Sequence, residues 1–166
     1  LGFPLDILLT KKIGHPLNKE YAIGAVSLND RFIVPHDDVS QSYIDKETEI
    51  IREKLSRMYE TFMGQDKHQH VKGRVVIVVD DGIATGNTLL STIKMLRNDK
   101  PARIVVAVPV SSSTAYQKLK LQVDEMICPY VPESFYGVGQ FYENFEQVSD
   151  AEVKMYLDKF RSEQNS

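Results

Sequence analysis

Residues 74–90, RVVIVVDDGIATGNTLL, place an apolar strand, a pair of carboxylates, a run of mostly small or hydroxylated residues and a helix start in immediate succession. The unbroken apolar run from Val75 to Val79 suits a parallel-sheet strand with helices on both faces. Asp80 and Asp81 follow at its carboxyl end, where open α/β sheets bind their ligands. Leu89, Leu90, Ile93 and Leu96 then recur at helical spacing, so the loop ends on a helix N-terminus. The unpaired N–H groups and positive dipole end of such a terminus favour a phosphate. Gly82 and Gly86 allow close approach of backbone to an anion, and the hydroxyls of Thr85 and Thr88 can donate to it. Two carboxylates beside that cradle would repel the anion. They fit if they accept hydrogen bonds from hydroxyls of the sugar carrying the phosphate, or sit near a metal counter-ion.

Other phosphate-binding patterns match less well. A dinucleotide or methyl-donor site would place Gly-x-Gly-x-x-Gly directly after the strand, with the acid on a later strand, and a Walker loop would have lysine where Asn87 stands. The run from Val78 to Thr88 resembles instead the phosphoribosyl-pyrophosphate (PRPP) motif of type I phosphoribosyltransferases: apolar strand, two acids, short spacer, Thr-Gly-x-Thr. Matched residue by residue, the resemblance implies that Asp80 and Asp81 bind the ribose 2′- and 3′-hydroxyls. Gly82, Ile83, Ala84, Thr85, Gly86, Asn87 and Thr88 would then wrap the 5′-phosphate. Ala84 stands where the 6-oxopurine salvage members carry an acid, which is the pattern of members that use orotate, adenine or uracil.

The resemblance also implies a fold and a reaction. The expected fold is α/β, a mainly parallel doubly wound sheet flanked by helices, with a flap hairpin and a small C-terminal hood, as one domain over residues 1–166. The overall pattern is similar to the uncharacterised predicted phosphoribosyltransferases with a long helix inserted before the PRPP strand. The reaction would transfer 5-phosphoribosyl from PRPP to a nitrogen acceptor such as a nucleobase, in nucleotide salvage or a related pathway, with magnesium bound alongside PRPP. A homodimer is expected. The alternative on the same fold is a non-catalytic regulator that senses PRPP or a nucleotide.

Composition bounds these readings. The 166 residues are 42% hydrophobic and 26% charged, enough for one core. A net charge of −3 argues against nucleic acid as an obligate partner. Cys128 is the only cysteine, which excludes an intrachain disulfide and suits a cytoplasmic protein. No apolar run approaches the ~18 residues of a membrane span.

Along the rest of the chain, Leu1-Gly2-Phe3-Pro4 reads as the tail of a helix. The chain begins on leucine, and the resemblance places a first strand and a pyrophosphate loop ahead of it, so an N-terminal truncation is expected. Residues 5–13 form an apolar strand ending on Lys11 and Lys12, with residues 14–18 a loop. By the resemblance, Lys11 and Lys12 contact the pyrophosphate beside a mobile loop; the plain alternative is two solvated lysines. Lys12 joins Asp80 and Asp81 in the expected catalytic set. A hairpin turning at residues 28–30 would form the flap. Residues 42–63 make a helix with Ile44, Ile51, Leu55, Met58 and Phe62 on one face and a Ser42/Asp45 capping box. His68 and His70 lack the further ligands that a metal centre requires. A helix over residues 86–98, a strand over 103–110, a helix capped within residues 111–114 and a strand over 125–128 continue the alternation. Cys128 reads as a buried filler and not as a nucleophile. The aromatic stretch 130–145 corresponds to the hood, where Phe135 or Tyr136 would stack on a base or plug a sheet edge. A final helix starts from a Ser149/Glu152 capping box, with Val153, Tyr156, Leu157 and Phe160 as its apolar stripe.

Overall fold

In the computed structural model, which describes residues 3–64 and 69–164, the chain divides into two units: Leu1–His70 with Glu146–Ser166, and Val71–Phe145.

The first unit is built on an antiparallel meander of β1 (Thr10–His15), β2 (Asn18–Ser27) and β3 (Arg31–Ile33). The expected hairpin at residues 28–30 is present, closed by Ser27 N–H donating to the Asp30 carbonyl at 2.9 Å and Asp30 N–H to Ser27 Oγ at 3.0 Å. The strand expected over residues 5–13 is displaced. It begins at Thr10 and runs on to His15, because Gly14 and His15 pair with Ala22 and Asn18. The expected loop at 14–18 thereby shrinks to a turn at Pro16 and Leu17, and Lys11 and Lys12 fall inside the strand instead of at its end. Gly14 is needed there, since a Cβ would overlap the Lys19 main chain. His15, itself buried, holds the turn by accepting from Leu17 N–H on Nδ1 at 3.2 Å, while Nε2 lies 2.9 Å from Asp38 Oδ2.

Helix α1 (Gln41–Met63) packs Ile44, Ile51 and Leu55 onto Ile13, Ile23 and Val26 of that meander. Its cap is Ser40, whose Oγ accepts from Tyr43 N–H at 3.3 Å, and not the expected Ser42. Helix α4 (Asp150–Gln164) starts from the expected reciprocal capping box: Ser149 N–H donates to Glu152 Oε2 at 2.9 Å and Glu152 N–H to Ser149 Oγ at 3.3 Å. Leu157 joins Tyr59, Phe62 and Met63 in a second small core, with Val153 against it. Tyr156, expected in the same stripe, is exposed. Arg161 donates to the Phe62 carbonyl at 2.9 Å, placing a cation at the negative end of α1. Of the histidine pair, His68 lies outside the described residues and His70 is exposed.

The second unit is a parallel sheet of β4 (Val75–Val79), β5 (Arg103–Ala107) and β6 (Glu125–Ile127) in that order, with crossover helices α2 (Asn87–Asn98) and α3 (Ser113–Lys120). Leu89, Ile93 and Leu96 of α2, Ala115 and Leu119 of α3, and Ile104 and Val106 of β5 share one core, against which Val76 and Val78 pack. Both crossovers step the same way along the sheet, so both helices cover one face. Val75, Ile77 and Val79 consequently stand 56%, 54% and 74% exposed, and β4 alternates where its apolar run predicted burial on both sides. Among the described residues, no helix is long and apolar enough to cross a membrane.

Candidate functional site

The loop between β4 and α2 is held from behind by contacts that occupy its carbonyl groups. The Asp81 carbonyl accepts from the Tyr142 hydroxyl at 2.6 Å, the Ile83 carbonyl from Ser112 N–H at 2.9 Å, and the Ala84 carbonyl from Ser112 Oγ at 2.6 Å. The Gly86 carbonyl accepts from Leu90 N–H at 2.8 Å and the Asn87 carbonyl from Ser91 Oγ at 3.1 Å. Ile83 is the anchor: its side chain is buried in the core, and its N–H donates to the Val110 carbonyl at 3.0 Å, making a parallel bridge with Ser111.

With these five carbonyls tethered, the loop offers donors. Among the described residues, the N–H groups of Ala84, Thr85, Gly86, Asn87 and Thr88 have no hydrogen-bond acceptor. Gly86 is left-handed at φ 70° and the helical Asn87 follows, the alternation that turns successive N–H groups into an anion-binding concavity. Gly86 also packs closely, since a Cβ would meet Leu119 Cδ1 at 3.1 Å and Ala115 Cβ at 3.3 Å. At Gly82 a Cβ would meet Val138 Cγ1 at 2.7 Å and Val110 Cγ1 at 2.9 Å, so the hood segment presses directly on the loop. Thr85 and Thr88 are exposed on it.

Asp80 and Asp81 open this loop. Partial burial of Asp80 pushes its carboxyl above the ordinary aspartate range, and repulsion from Asp81 adds to that; the Asp81 N–H, 3.0 Å from Asp80 Oδ1, opposes the shift. A carboxyl in that condition gains from further donors, such as sugar hydroxyls. Among the described residues, no group of three or more His, Cys, Asp or Glu side chains could cage a metal ion.

The remaining predicted site residues are distributed more widely. Phe135 stacks at 35° on Phe141, ring centres 5.5 Å apart, and Phe141 in turn meets Tyr130 edge-on. Tyr136 is 92% exposed, and its N–H donates to Gln140 Oε1 at 3.2 Å. Lys11 and Lys12 belong to the other unit, where the Lys12 ammonium lies 2.8 Å from Glu20 Oε2. Cys128 donates its S–H to the Tyr130 carbonyl at 3.3 Å, and burial pushes the thiol up, away from a nucleophilic thiolate. Ser112, Tyr142 and Lys118, which donates to Asn87 Oδ1 at 2.7 Å, are site residues that sequence reasoning missed. A serine at a strand end signalled a helix cap and nothing more.

Known proteins resemble this chain. A family model described as phosphoribosyl transferase domain matches residues 25–146. A Mycobacterium tuberculosis protein named "Putative phosphoribosyl transferase" is 33% identical over 164 residues, 96% of this chain; this chain spans 37% of that relative's length. An adenine phosphoribosyltransferase of Shewanella piezotolerans is 34% identical over 85 residues, covering 51% of this chain and 40% of its own. The crystal structure of TT1426 from Thermus thermophilus superposes with a TM-score of 0.81 at 35% identity, covering 95% of this chain and 77% of that one.

Proposed function

The chain belongs to the phosphoribosyl transferase domain family, and we propose from that premise that it transfers 5-phosphoribosyl from PRPP to a nitrogen acceptor, a nucleobase, releasing pyrophosphate. The observation that carries the reading is the β4–α2 loop. The carbonyls of Asp81, Ile83, Ala84, Gly86 and Asn87 are tied by hydrogen bonds, and the N–H groups of residues 84–88 are left to an anion. The 5′-phosphate occupies that concavity, with Thr85 and Thr88 donating, and the ribose 2′- and 3′-hydroxyls donate to Asp80 and Asp81.

The reaction forms a bond from the acceptor nitrogen to ribose C1 while the bond from C1 to the pyrophosphate oxygen breaks. Positive charge builds on the sugar, and the carboxylates of Asp80 and Asp81, accepting from its hydroxyls, would stabilise it. The protein mainly positions the reactants and excludes water, so no covalent nucleophile is needed. Magnesium fits this donor set, because it favours one or two carboxylates plus substrate phosphates over an all-protein cage; Asp80 and Asp81 are the side chains that would hold it. When bound it neutralises charge on the leaving pyrophosphate. Lys11 and Lys12 are proposed to add to that neutralisation, and Phe135 or Tyr136 to meet the base. Ala84 and the likeness to an adenine phosphoribosyltransferase both fit an acceptor other than a 6-oxopurine. A homodimer in the cytoplasm, where Cys128 stays reduced, completes the reading.

The Lys12–Glu20 ion pair supports a second reading, a PRPP- or nucleotide-sensing regulator without turnover, because this cation already has a carboxylate partner. The test is calorimetric titration with magnesium and PRPP, alongside ribose 5-phosphate and the Asp80→Asn/Asp81→Asn double variant, followed by a screen of bases for nucleotide formation. Saturable PRPP binding that the double variant loses is expected. Absence of binding by either ligand would overturn the assignment, and binding with no turnover on any base would favour the sensor.

A further inference from the structure

The motif that opens α2 contains no cation: between Asp80 and Ile93 there is neither lysine nor arginine, and the two ionisable residues are both aspartates. A phosphate monoester carries close to two negative charges at neutral pH. A Walker loop solves this with a lysine of its own. Here a lysine comes from another element. Lys118, on α3, is exposed and reaches across to donate to Asn87 Oδ1 at 2.7 Å. Asn87 is the first residue of α2, flanked by Gly86 and Thr88, so the ammonium is bound to a side chain of the same segment whose N–H groups at residues 84–88 are unpaired.

That position is unfavourable for a cation on its own account. The helix dipole is positive at an N-terminus and the unpaired N–H groups add to it. Lys118 could instead serve the carbonyls at the end of α3, where lysine is favoured, yet its hydrogen bond is made to the neighbouring helix. Among the described residues, no carboxylate pairs with it. An anion seated in the loop would reverse the sign of the interaction and use both the dipole and the ammonium.

We propose that Lys118 is a phosphate-binding residue, the cation of the 5′-phosphate site, supplied by α3 and parked on Asn87. The inference rests on the phosphoribosyl reading of that site. It is tested on the same chain by titrating ribose 5-phosphate, and magnesium with PRPP, into the wild type, Lys118→Gln and Lys118→Arg. Loss of one charge-assisted contact to phosphate is expected to weaken both ligands about tenfold in Lys118→Gln, by the same factor because both carry the 5′-phosphate. Lys118→Arg, which keeps the charge, should stay within about threefold of wild type. Melting temperatures without ligand should coincide, since an exposed side chain contributes little to stability. Wild-type affinity in Lys118→Gln, with binding still abolished by Asp80→Asn/Asp81→Asn, would overturn the role of Lys118 alone and leave the phosphoribosyl reading standing. Weakening of PRPP without weakening of ribose 5-phosphate would also overturn it, by assigning Lys118 to the pyrophosphate. Failure of the wild type to bind either ligand would overturn both.

Discussion

Ser112 performs two jobs with one hydroxyl, and they can be separated. Its Oγ accepts from Ala115 N–H at 3.2 Å, capping α3, and donates to the Ala84 carbonyl at 2.6 Å, holding the β4–α2 loop. In Ser112→Ala the cap is lost at about 1 kcal/mol. The tie to Ala84 adds about 1 kcal/mol, the usual net worth of a hydrogen bond to a carbonyl that water can still reach. Together they predict about 2 kcal/mol, or a melting temperature lowered by about 4–8 °C for a chain of this size. The slackened loop must also be ordered when the phosphate binds, which weakens ribose 5-phosphate by about three- to tenfold. Ser112→Asp discriminates the two roles: a carboxylate can still accept from Ala115 N–H but has no proton to give Ala84. It should recover about 1 kcal/mol of stability relative to alanine and none of the affinity. Scanning fluorimetry reads the first quantity and calorimetry the second. A Ser112→Ala variant that melts within about 1 °C of wild type, or a Ser112→Asp variant that binds normally, would refute the reasoning.

Three further outcomes follow from the same loop. Gly86→Ala forces a side chain into the left-handed region and against Leu119 and Ala115, and should cost about 2–3 kcal/mol in urea denaturation. Tyr142→Phe leaves the Asp81 carbonyl without its donor; the expected loss is about 1 kcal/mol, with PRPP affinity falling several-fold while the aromatic contact to Phe145 survives. Asp80→Asn should abolish PRPP binding yet raise thermal stability at pH 7. The sign follows from the raised pKa of the folded state. The folded chain holds this proton more tightly than the unfolded one, so stability falls as pH rises from the ordinary aspartate value through the raised one. The cost is then present in full at neutral pH and absent in acid below the ordinary value. Melts of wild type and Asp80→Asn at pH 7 and pH 3 check this, and an equal difference at both would contradict it.

The strand, acid pair, loop and helix over residues 75–98 were legible because each is a local pattern: a β-rich apolar run, a glycine at the turn, leucines at helical spacing. The Ser149–Glu152 capping box was legible for the same reason. Boundaries that depend on pairing were not. The extension of β1 to His15 rests on cross-strand partners in β2, and the exposure of Val75, Ile77 and Val79 depends on both crossovers lying on one face. The distal residues of the candidate site were invisible. Ser112 reaches Ala84 from 28 positions away, Lys118 reaches Asn87 from 31, and Tyr142 reaches Asp81 from 61.

By itself the sequence determined that a glycine-containing loop and a helix start stand behind two aspartates at a strand end, because backbone dihedrals, caps and side-chain periodicity act within a few residues of one another. Only the tertiary structure decided which way the loop's peptides face. That depends on Ser112, Tyr142 and Val110 meeting its backbone from distant segments, since a carbonyl turned toward a donor behind the loop leaves its neighbouring N–H groups to whatever anion lies in front.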